Sequence, residues 1–232
     1  MTPTIDGSHI LSQLRSVERR DVLGMEQAVL QAKLPFIQQT VRPGTLIYTP
    51  FVTGIVELLA NAVKAAGLRP GLFTGDDKTG YEQFLARDVD VLIGSEPIGT
   101  GIDKLQEVGN RLIFASLPWT SAQYDQVVGR LHRQGARFEK VEVFIPIVEL
   151  CRGSSRWSWD RHRLNRIQFK RTLADAAVDG VIPEGKLPSR EEMQAHSLKA
   201  LQEWISQVER TAPSSSTTTT GDADIFDILS NT

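Results

Sequence analysis

Between residues 45 and 147 the chain alternates short apolar runs with segments of helical periodicity, and this alternation strongly constrains the fold. Two of the runs, VDVLIG at 89–94 and RLIFAS at 111–116, have continuous apolar centres, which is typical of strands buried on both faces of a parallel sheet. Further strands are expected at 45–48, 71–74 and 141–147, and helices at 52–66, 78–87 and 121–132. The pattern predicts an α/β fold, in which helices flank a mostly parallel sheet with right-handed crossovers.

The segments on either side of this α/β unit have a different character. Residues 15–40 show a helical period, and two more helices are expected at about 158–178 and 190–209. We therefore predict an N-terminal helical segment (1–43), the α/β domain (44–150), a helical brace or extension (151–210) and a tail (211–232). The tail begins with TAPSSSTTTTG, which we expect to be disordered, and its end, DADIFDILSNT, is either a frayed terminus or a peptide that docks on a partner.

Charge is distributed unevenly along the chain. The formal net charge is −2, but residues 111–171 hold 12 basic and 5 acidic side chains. Because phosphate affinity depends on local charge, this block suits a polyanion, although a solvated basic face explains the same composition.

Cysteine, histidine and hydropathy limit the chemistry and the compartment. The single cysteine, Cys151, excludes an internal disulfide and fits a reducing compartment. The N-terminus lacks the pattern of a signal peptide, and the most apolar window, 51–63, is too short to span a bilayer. The histidines are scattered without the spacing of a metal site, so we predict no metal site. We expect a cytoplasmic protein without membrane contact.

The loop that follows the strand at 89–94 combines glycines with polar side chains. In an open α/β sheet, ligands bind outside the carboxyl ends of the strands. The loop offers hydroxyl donors, glycines that permit close backbone approach, and a carboxylate that can accept from a sugar hydroxyl: Ser95, Thr100, Gly99, Gly101 and Asp103. These residues indicate a phosphate or ribose contact, and a glycine-rich tight turn is the alternative.

A second polar segment belongs to the helix expected at 121–132. Gln126, Gly129, Arg130 and Arg133 are spaced i, i+3, i+4 and i+7, so they fall on one helical face. Because a planar guanidinium binds phosphate oxygens through two parallel hydrogen bonds, the arginine pair predicts a clamp for a dense negative charge such as a nucleotide γ-phosphate. For an isolated pair of arginines, a surface salt-bridge network is the alternative.

In order and spacing, these segments resemble motifs V and VI of superfamily-two helicases and translocases. The resemblance covers about residues 44–150, and RLHRQG at 130–135 is most similar to the Swi/Snf-like branch. It is carried by QxxGRxxRxG at 126–135, by Ser95-Glu96 and Gly101-Ile102-Asp103, by LIYTP at 46–50 in the place of motif IV, and by Phe73-Thr74-Gly75 in the place of the motif after it.

The resemblance implies a second RecA-like lobe, which shares ATP with a first lobe across a cleft. It implies that Arg130 and Arg133 face the γ-phosphate as arginine fingers and that Gln126 couples the cleft to the nucleic acid. The nucleotide would lie near Gly101, Asp103 and Gly129. Contacts to the nucleic-acid backbone, with double-stranded DNA as the expected track, would come from Thr74, Gly75 and Ser95.

The elements of a first lobe are missing from this sequence. No G-x-x-x-x-G-K-[ST] phosphate cradle occurs, and no aspartate is followed by glutamate, so no acidic box holds Mg²⁺. We therefore expect that the chain does not hydrolyse ATP alone and that a first RecA-like lobe, supplied in trans or missing from this chain, holds the metal ion. The alternative is a non-catalytic module, derived from such a lobe, that binds nucleic acid or another motor.

A basic stretch with interleaved tryptophans follows the last strand, at 152–171. Basic and aromatic side chains together suit contact with a nucleic-acid backbone, so Arg156 and Arg163 are predicted contacts. Trp157 and Trp159 are expected to pack inside a brace between lobes, as the resemblance implies.

Overall fold

The computed structural model describes residues 4–6, 22–100, 102–178 and 189–211. Residues 15–21 of the first predicted helix, Gly101, and the predicted tail beyond residue 211 lie outside the described residues. The elements in chain order are β1 (Thr4–Asp6), α1 (Val22–Thr40), β2 (Thr45–Tyr48), α2 (Val56–Ala65), β3 (Pro70–Phe73), α3 (Thr79–Ala86), β4 (Val91–Gly94), a 3-10 turn (Glu96–Gly99), α4 (Leu105–Val108), β5 (Arg111–Phe114), α5 (Ser121–Val128), β6 (Glu142–Phe144), β7 (Glu149–Arg152), β8 (Ser155–Trp157), α6 (Trp159–Val178) and α7 (Arg190–Thr211).

Five strands form a parallel sheet in the order β3-β4-β2-β5-β6. The central strand β2 pairs with β4 on one side and with β5 on the other, and Thr45 lies opposite both Val91 and Arg111. Since all five strands run the same way, their carboxyl ends meet at one edge. The predicted mostly parallel sheet, flanked by helices and followed by a helical extension, is confirmed.

Alternate residues of the central strands enter two different hydrophobic clusters, one on each face of the sheet. On β2, Leu46 and Tyr48 pack with Phe84 of α3 and Val127 of α5, while Ile47 packs against α1 and α2 on the opposite face. β4 and β5 follow the same alternation. Burial on both faces explains why the apolar residues of these strands are consecutive rather than at every second position.

A second sheet of three short strands was not predicted. β7 pairs in parallel with β1 and antiparallel with β8, and the β7–β8 turn contains Gly153 in the left-handed region at φ 57°. The sequence interpretation placed only helices beyond Cys151. Strands of three or four residues carry too little alternation to be recognised, although Gly153-Ser154 between two short runs is a hairpin signal.

Two buried ion pairs join α1 to α6 next to the sheet. Lys33 Nζ lies 2.6 Å from Asp160 Oδ1 and donates to the Ala115 carbonyl oxygen at 2.9 Å, while Asp160 Oδ2 accepts from the Val148 N–H at 3.1 Å. Arg163 pairs with Glu26 and donates to the Leu117 carbonyl oxygen. Burial raises the pKa of Asp160, and the Lys33 ammonium acts in the opposite direction. The extension is thus fixed to the segment that follows β5.

None of the helices that the structure describes is both long and apolar enough to cross a membrane.

Candidate functional site

A cavity of about 570 Å³ lies at the carboxyl edge of the parallel strands. It brings together three of the predicted site residues, Gly75, Ser95 and Gln126, with Gly99 and Thr100 of the same glycine-containing loop. The remaining lining residues, which sequence reasoning did not single out as site residues, are Tyr48, Pro50, Val52, Glu96, Pro97, Gln123 and Val127. Segments that are far apart in the chain meet here because β2, β3 and β4 end side by side.

The turn after β3 presents backbone rather than side chain to the solvent. The Thr74 N–H donates to the Asp77 carbonyl oxygen at 2.6 Å, and the Asp77 N–H donates to Thr74 Oγ1 at 3.1 Å, so the Thr74 hydroxyl is used within the turn. A Cβ on Gly75 would meet nothing within 4 Å. Gly75 is therefore the accessible residue of this pair, and its exposed peptide group is open to a ligand.

Ser95 continues this edge from the neighbouring strand. Its N–H donates to the Phe73 carbonyl oxygen at 3.0 Å, and its side chain is buried at the base of the cavity. The loop after β4 and the turn after β3 are thereby joined.

Arg130 and Arg133 both lie against the loop after β4. The Arg130 guanidinium donates to the carbonyl oxygens of Gly99 and Ile102, each at 2.6 Å, and its Nη1 lies 3.7 Å from Asp103 Oδ1. Arg133 pairs with the Asp103 carboxylate. The Arg133 side chain is 49% exposed and that of Arg130 is 19% exposed, so the two guanidiniums differ in access. Arg130 fixes the loop, and Arg133 remains open to solvent.

The helix that carries this motif is shorter than predicted. We expected it to reach His132, but α5 ends at Val128, with Gly129 as its C-cap. Arg130 lies in the turn that follows, and its backbone N–H donates to the Val127 carbonyl oxygen at 3.2 Å. The prediction that Gln126, Arg130 and Arg133 share one helical face was therefore wrong, because both arginines lie beyond the end of α5. The turns that follow Val128 bring both arginines to the loop.

The two predicted arginine contacts of the basic stretch have opposite environments. Arg163 is 2% exposed, pairs with Glu26, and lies with its Cζ 4.0 Å from the centre of the Trp119 ring, so it cannot reach a nucleic acid in this structure. The sequence could not show this, because the partner Glu26 lies 137 positions earlier. Arg156 is exposed and lies 3.5 Å from Glu149, which leaves it accessible.

Of the two tryptophans in this stretch, Trp159 packs in the interior and Trp157 is partly buried against the same cluster. Trp159 is fully buried, and its Nε1 donates to Glu26 Oε1 at 2.7 Å. The Trp157 ring stacks on Trp204 of α7, with 6.2 Å between the ring centres.

One contact at the cavity joins the extension to the loop after β4. Arg190, the first residue of α7, lies with its Nη1 2.7 Å from Glu96 Oε1. Burial raises the pKa of Tyr48 well above its usual range; the Glu96 carboxylate adds to this effect, while the Arg163 and Arg190 guanidiniums oppose it. The available sequence signal was Ser189-x-x-Glu192, a capping box that marks the start of a helix beside Arg190.

The described residues contain no group of three or more histidine, cysteine, aspartate or glutamate side chains arranged to hold a metal ion. The geometry instead provides guanidinium, hydroxyl and backbone N–H donors at one edge, which suits phosphate groups.

Residues 27–135 match the family model of the helicase conserved C-terminal domain. Among solved structures, the chain is similar to the C-terminal part of the Fun30 ATPase domain, with 15% identity over 73% of this chain and 53% of that one and a TM-score of 0.47. It is also similar to S. cerevisiae Dbp5 bound to RNA and ADP BeF3, with 17% identity over 79% of this chain and 42% of that one and a TM-score of 0.45. The isolated C-terminal domain of the DEAD-box protein Dbp5 is also similar, with 17% identity over 74% of this chain and 90% of that one and a TM-score of 0.42.

The chain thus spans about half the length of the Fun30 fragment and less than half of the RNA-bound Dbp5 chain. A comparison with curated proteins gives no significant match.

Proposed function

We propose that the chain acts as the second RecA-like lobe of a nucleic-acid-dependent ATPase, since residues 27–135 match the family model of the helicase conserved C-terminal domain. A first lobe, in trans or elsewhere in a longer protein, supplies the phosphate cradle and the acidic box that this sequence lacks. We further assign it to the Swi/Snf-like branch of DNA translocases, since RLHRQG at 130–135 is most similar to that branch.

The observation that carries the proposal is that Arg130 and Arg133 meet Gly99, Ile102 and Asp103 of the loop after β4 at the carboxyl edge of the sheet. The Arg133–Asp103 pair is exposed to water, where an ion pair contributes only about 0 to 1 kcal/mol. A nucleotide γ-phosphate carries more charge than one carboxylate and accepts two parallel hydrogen bonds from a guanidinium, so it can replace Asp103. Arg130 is held by two carbonyl oxygens and positions the loop that faces the same phosphate.

The residues present fit ATP on the side of the γ-phosphate. ATP supplies the phosphoanhydride whose hydrolysis powers movement, and this chain contributes positive charge and loop geometry rather than a hydrolytic base. Gln126 lies between the two ligand sides: its Oε1 is 3.2 Å from the position of a Cβ on Gly99, and it lines the cavity with Ser95. This position supports the proposal that Gln126 connects the nucleotide loop with the nucleic-acid side.

On the nucleic-acid side, the open peptide of Gly75 and the polar base of the cavity at Ser95 support backbone contacts along this edge. Arg156 adds an exposed guanidinium on the β7–β8 hairpin. Double-stranded DNA is the track that we propose.

The test is an ATPase assay of the chain mixed with a candidate first lobe, with and without double-stranded DNA. An arginine finger contributes about 10³- to 10⁵-fold to kcat, so Arg133→Ala and Arg130→Ala should each abolish most of the DNA-stimulated rate. The matched control is Arg42→Ala, which removes an exposed arginine at the opposite edge of the sheet. Equal rates for the wild type and both finger variants would contradict the assignment.

The pairing of both arginines within this chain favours a second candidate, a non-catalytic module that binds nucleic acid or another motor. In that case no first lobe restores ATPase activity, while nucleic-acid binding persists and weakens steeply as salt rises.

A further inference from the structure

Arg190 lies beside the cavity, where it pairs with the lining residue Glu96, although it belongs to α7, outside the residues that match the helicase domain. Its position is fixed from two sides. The Ser189 N–H donates to Glu192 Oε2 at 2.6 Å and the Glu192 N–H donates to Ser189 Oγ at 3.2 Å, which sets the start of the helix. The rest of α7 is held in the interior by Met193, Leu201, Trp204 and Val208. The guanidinium is therefore a placed group and not one on a loose segment.

The partner of Arg190 is Glu96, whose carboxylate opposes the entry of an anion into the cavity. Among the described residues that line the cavity, only Glu96 has a formally charged side chain, and its charge is negative. A carboxylate at this place repels a phosphate, so the cavity needs a nearby cation if a nucleic-acid backbone is to enter. Arg190 supplies that cation at 2.7 Å.

The Arg190–Glu96 pair is also easily exchanged. The two side chains are 39% and 43% exposed, and an ion pair that accessible is weakened by water and by salt. A guanidinium has five N–H donors in a fork that matches two phosphate oxygens better than a single carboxylate oxygen. A phosphate that reaches the rim therefore competes with Glu96 for Arg190 on favourable terms.

We propose that Arg190 of α7 is an additional contact to the nucleic-acid backbone, which Glu96 holds in place until a phosphate group replaces the carboxylate. This inference rests on the proposed function, since it assumes that a nucleic-acid backbone passes along the carboxyl edge of the sheet. It adds a contact from the C-terminal extension to a site that the helicase domain otherwise builds.

The experiment measures binding of the full chain to a short labelled double-stranded DNA by fluorescence anisotropy, at salt concentrations between about 50 and 200 mM. Four variants are compared with the wild type: Arg190→Gln, Arg190→Lys, Glu96→Gln and the double variant Glu96→Gln/Arg190→Gln. The matched control is Lys199→Gln, which removes a positive charge from the same helix where it pairs with Glu203 in solvent. Thermal unfolding of each variant checks that α7 stays folded.

Loss of one phosphate contact lowers the magnitude of the negative slope of log affinity against log salt by about 0.9. We expect that decrease for Arg190→Gln, a partial recovery for Arg190→Lys, and an unchanged slope for Lys199→Gln. Glu96→Gln should bind more tightly than the wild type because the competing carboxylate is gone, and the double variant should lose that gain.

Two results separate the possible failures. If the wild type does not bind the DNA even at the lowest salt, the proposed nucleic-acid function fails and the inference fails with it. If the wild type binds but Arg190→Gln keeps the slope of Lys199→Gln, or binds more tightly than the wild type, only the role of Arg190 is overturned; the tighter binding would make α7 an obstruction rather than a contact.

Discussion

His162 shows how one partly buried side chain makes stability depend on pH. Its imidazole packs against Trp157 with 5.9 Å between ring centres, and its buried Nε2 has no hydrogen-bond partner among the described residues. Burial lowers the pKa of His162, and the nearby Arg166 and His196 lower it further. The folded protein therefore holds fewer protons on this group than the unfolded chain does at mildly acidic pH.

The sign of the pH effect follows from this lowered pKa. Stability from His162 is present above the unfolded pKa of about 6.5 and is lost as pH falls through the folded pKa. We predict that the free energy of unfolding falls between pH 7 and pH 5 and that His162→Gln reduces the fall, as measured by urea denaturation at several pH values. His132→Gln, at an exposed position, should behave like the wild type. An unchanged pH dependence in His162→Gln would show that other groups cause the effect.

Arginines illustrate what the sequence could and could not predict about single residues. Arg130 and Arg133 could be selected because their spacing from Gln126 is local. In the structure, both guanidiniums contact the loop after β4 that the sequence also singled out. Arg156 and Arg163 came from the same basic stretch, and nothing in that stretch distinguishes the exposed one from the buried one. The difference depends on Glu26 of α1, a contact between distant parts of the chain.

Among the elements, α1 and α6 depend on each other through charges that water cannot reach. Lys33 and Asp160 have side chains that are each 1% exposed. Removing one member of a buried ion pair leaves the other charge uncompensated, which costs about 3 to 5 kcal/mol. We predict that Lys33→Met lowers the free energy of unfolding by about that amount and that adding Asp160→Asn recovers part of it, because the uncompensated carboxylate is removed.

Urea denaturation of the wild type, both single variants and the double variant measures this coupling. The comparison variant is Lys199→Met, which breaks the exposed Lys199–Glu203 pair and should change stability by less than about 1 kcal/mol. Additive effects of Lys33→Met and Asp160→Asn would mean that the two groups act independently.

Elements of the parallel sheet could be predicted because apolar runs and intervening helices are properties of short windows. β4 and β5 lie within the predicted runs, and the predicted α3 agrees to within one residue at each end. The β1-β7-β8 sheet could not be predicted in the same way. Its pairing of Thr4 with Glu149 joins residues that lie 145 positions apart in the chain, and strands of three or four residues leave no periodic signal.

For the whole molecule, the sequence pattern predicts domain boundaries after residue 43 and after residue 150. In the structure, side chains on either side of each boundary are in contact. Leu30 and Ile37 of α1 pack on the sheet face with β2 and α2. Lys33 and Arg163, from either side of the predicted domain, donate to the carbonyl oxygens of Ala115 and Leu117. The α/β unit and the extension therefore share one stabilising network, which also places Arg190 at the candidate site.

This shared network leads to a prediction about fragments. In α1, the side chains of Met25, Val29, Leu30 and Ile37 are buried almost completely. At about 1.5 to 3 kcal/mol for each buried side chain, their loss costs about 6 to 12 kcal/mol, which is close to the entire stability of about 5 to 15 kcal/mol that natural domains have.

We predict that a fragment of residues 44–150 does not unfold cooperatively in urea, whereas a fragment of residues 22–211 does so in a single transition. Far-UV circular dichroism and tryptophan fluorescence should give coincident curves for the longer fragment, because Trp119, Trp159 and Trp204 share one cluster. A cooperative transition of the 44–150 fragment at the midpoint of the longer one would instead show that the domain ends where the sequence pattern ends.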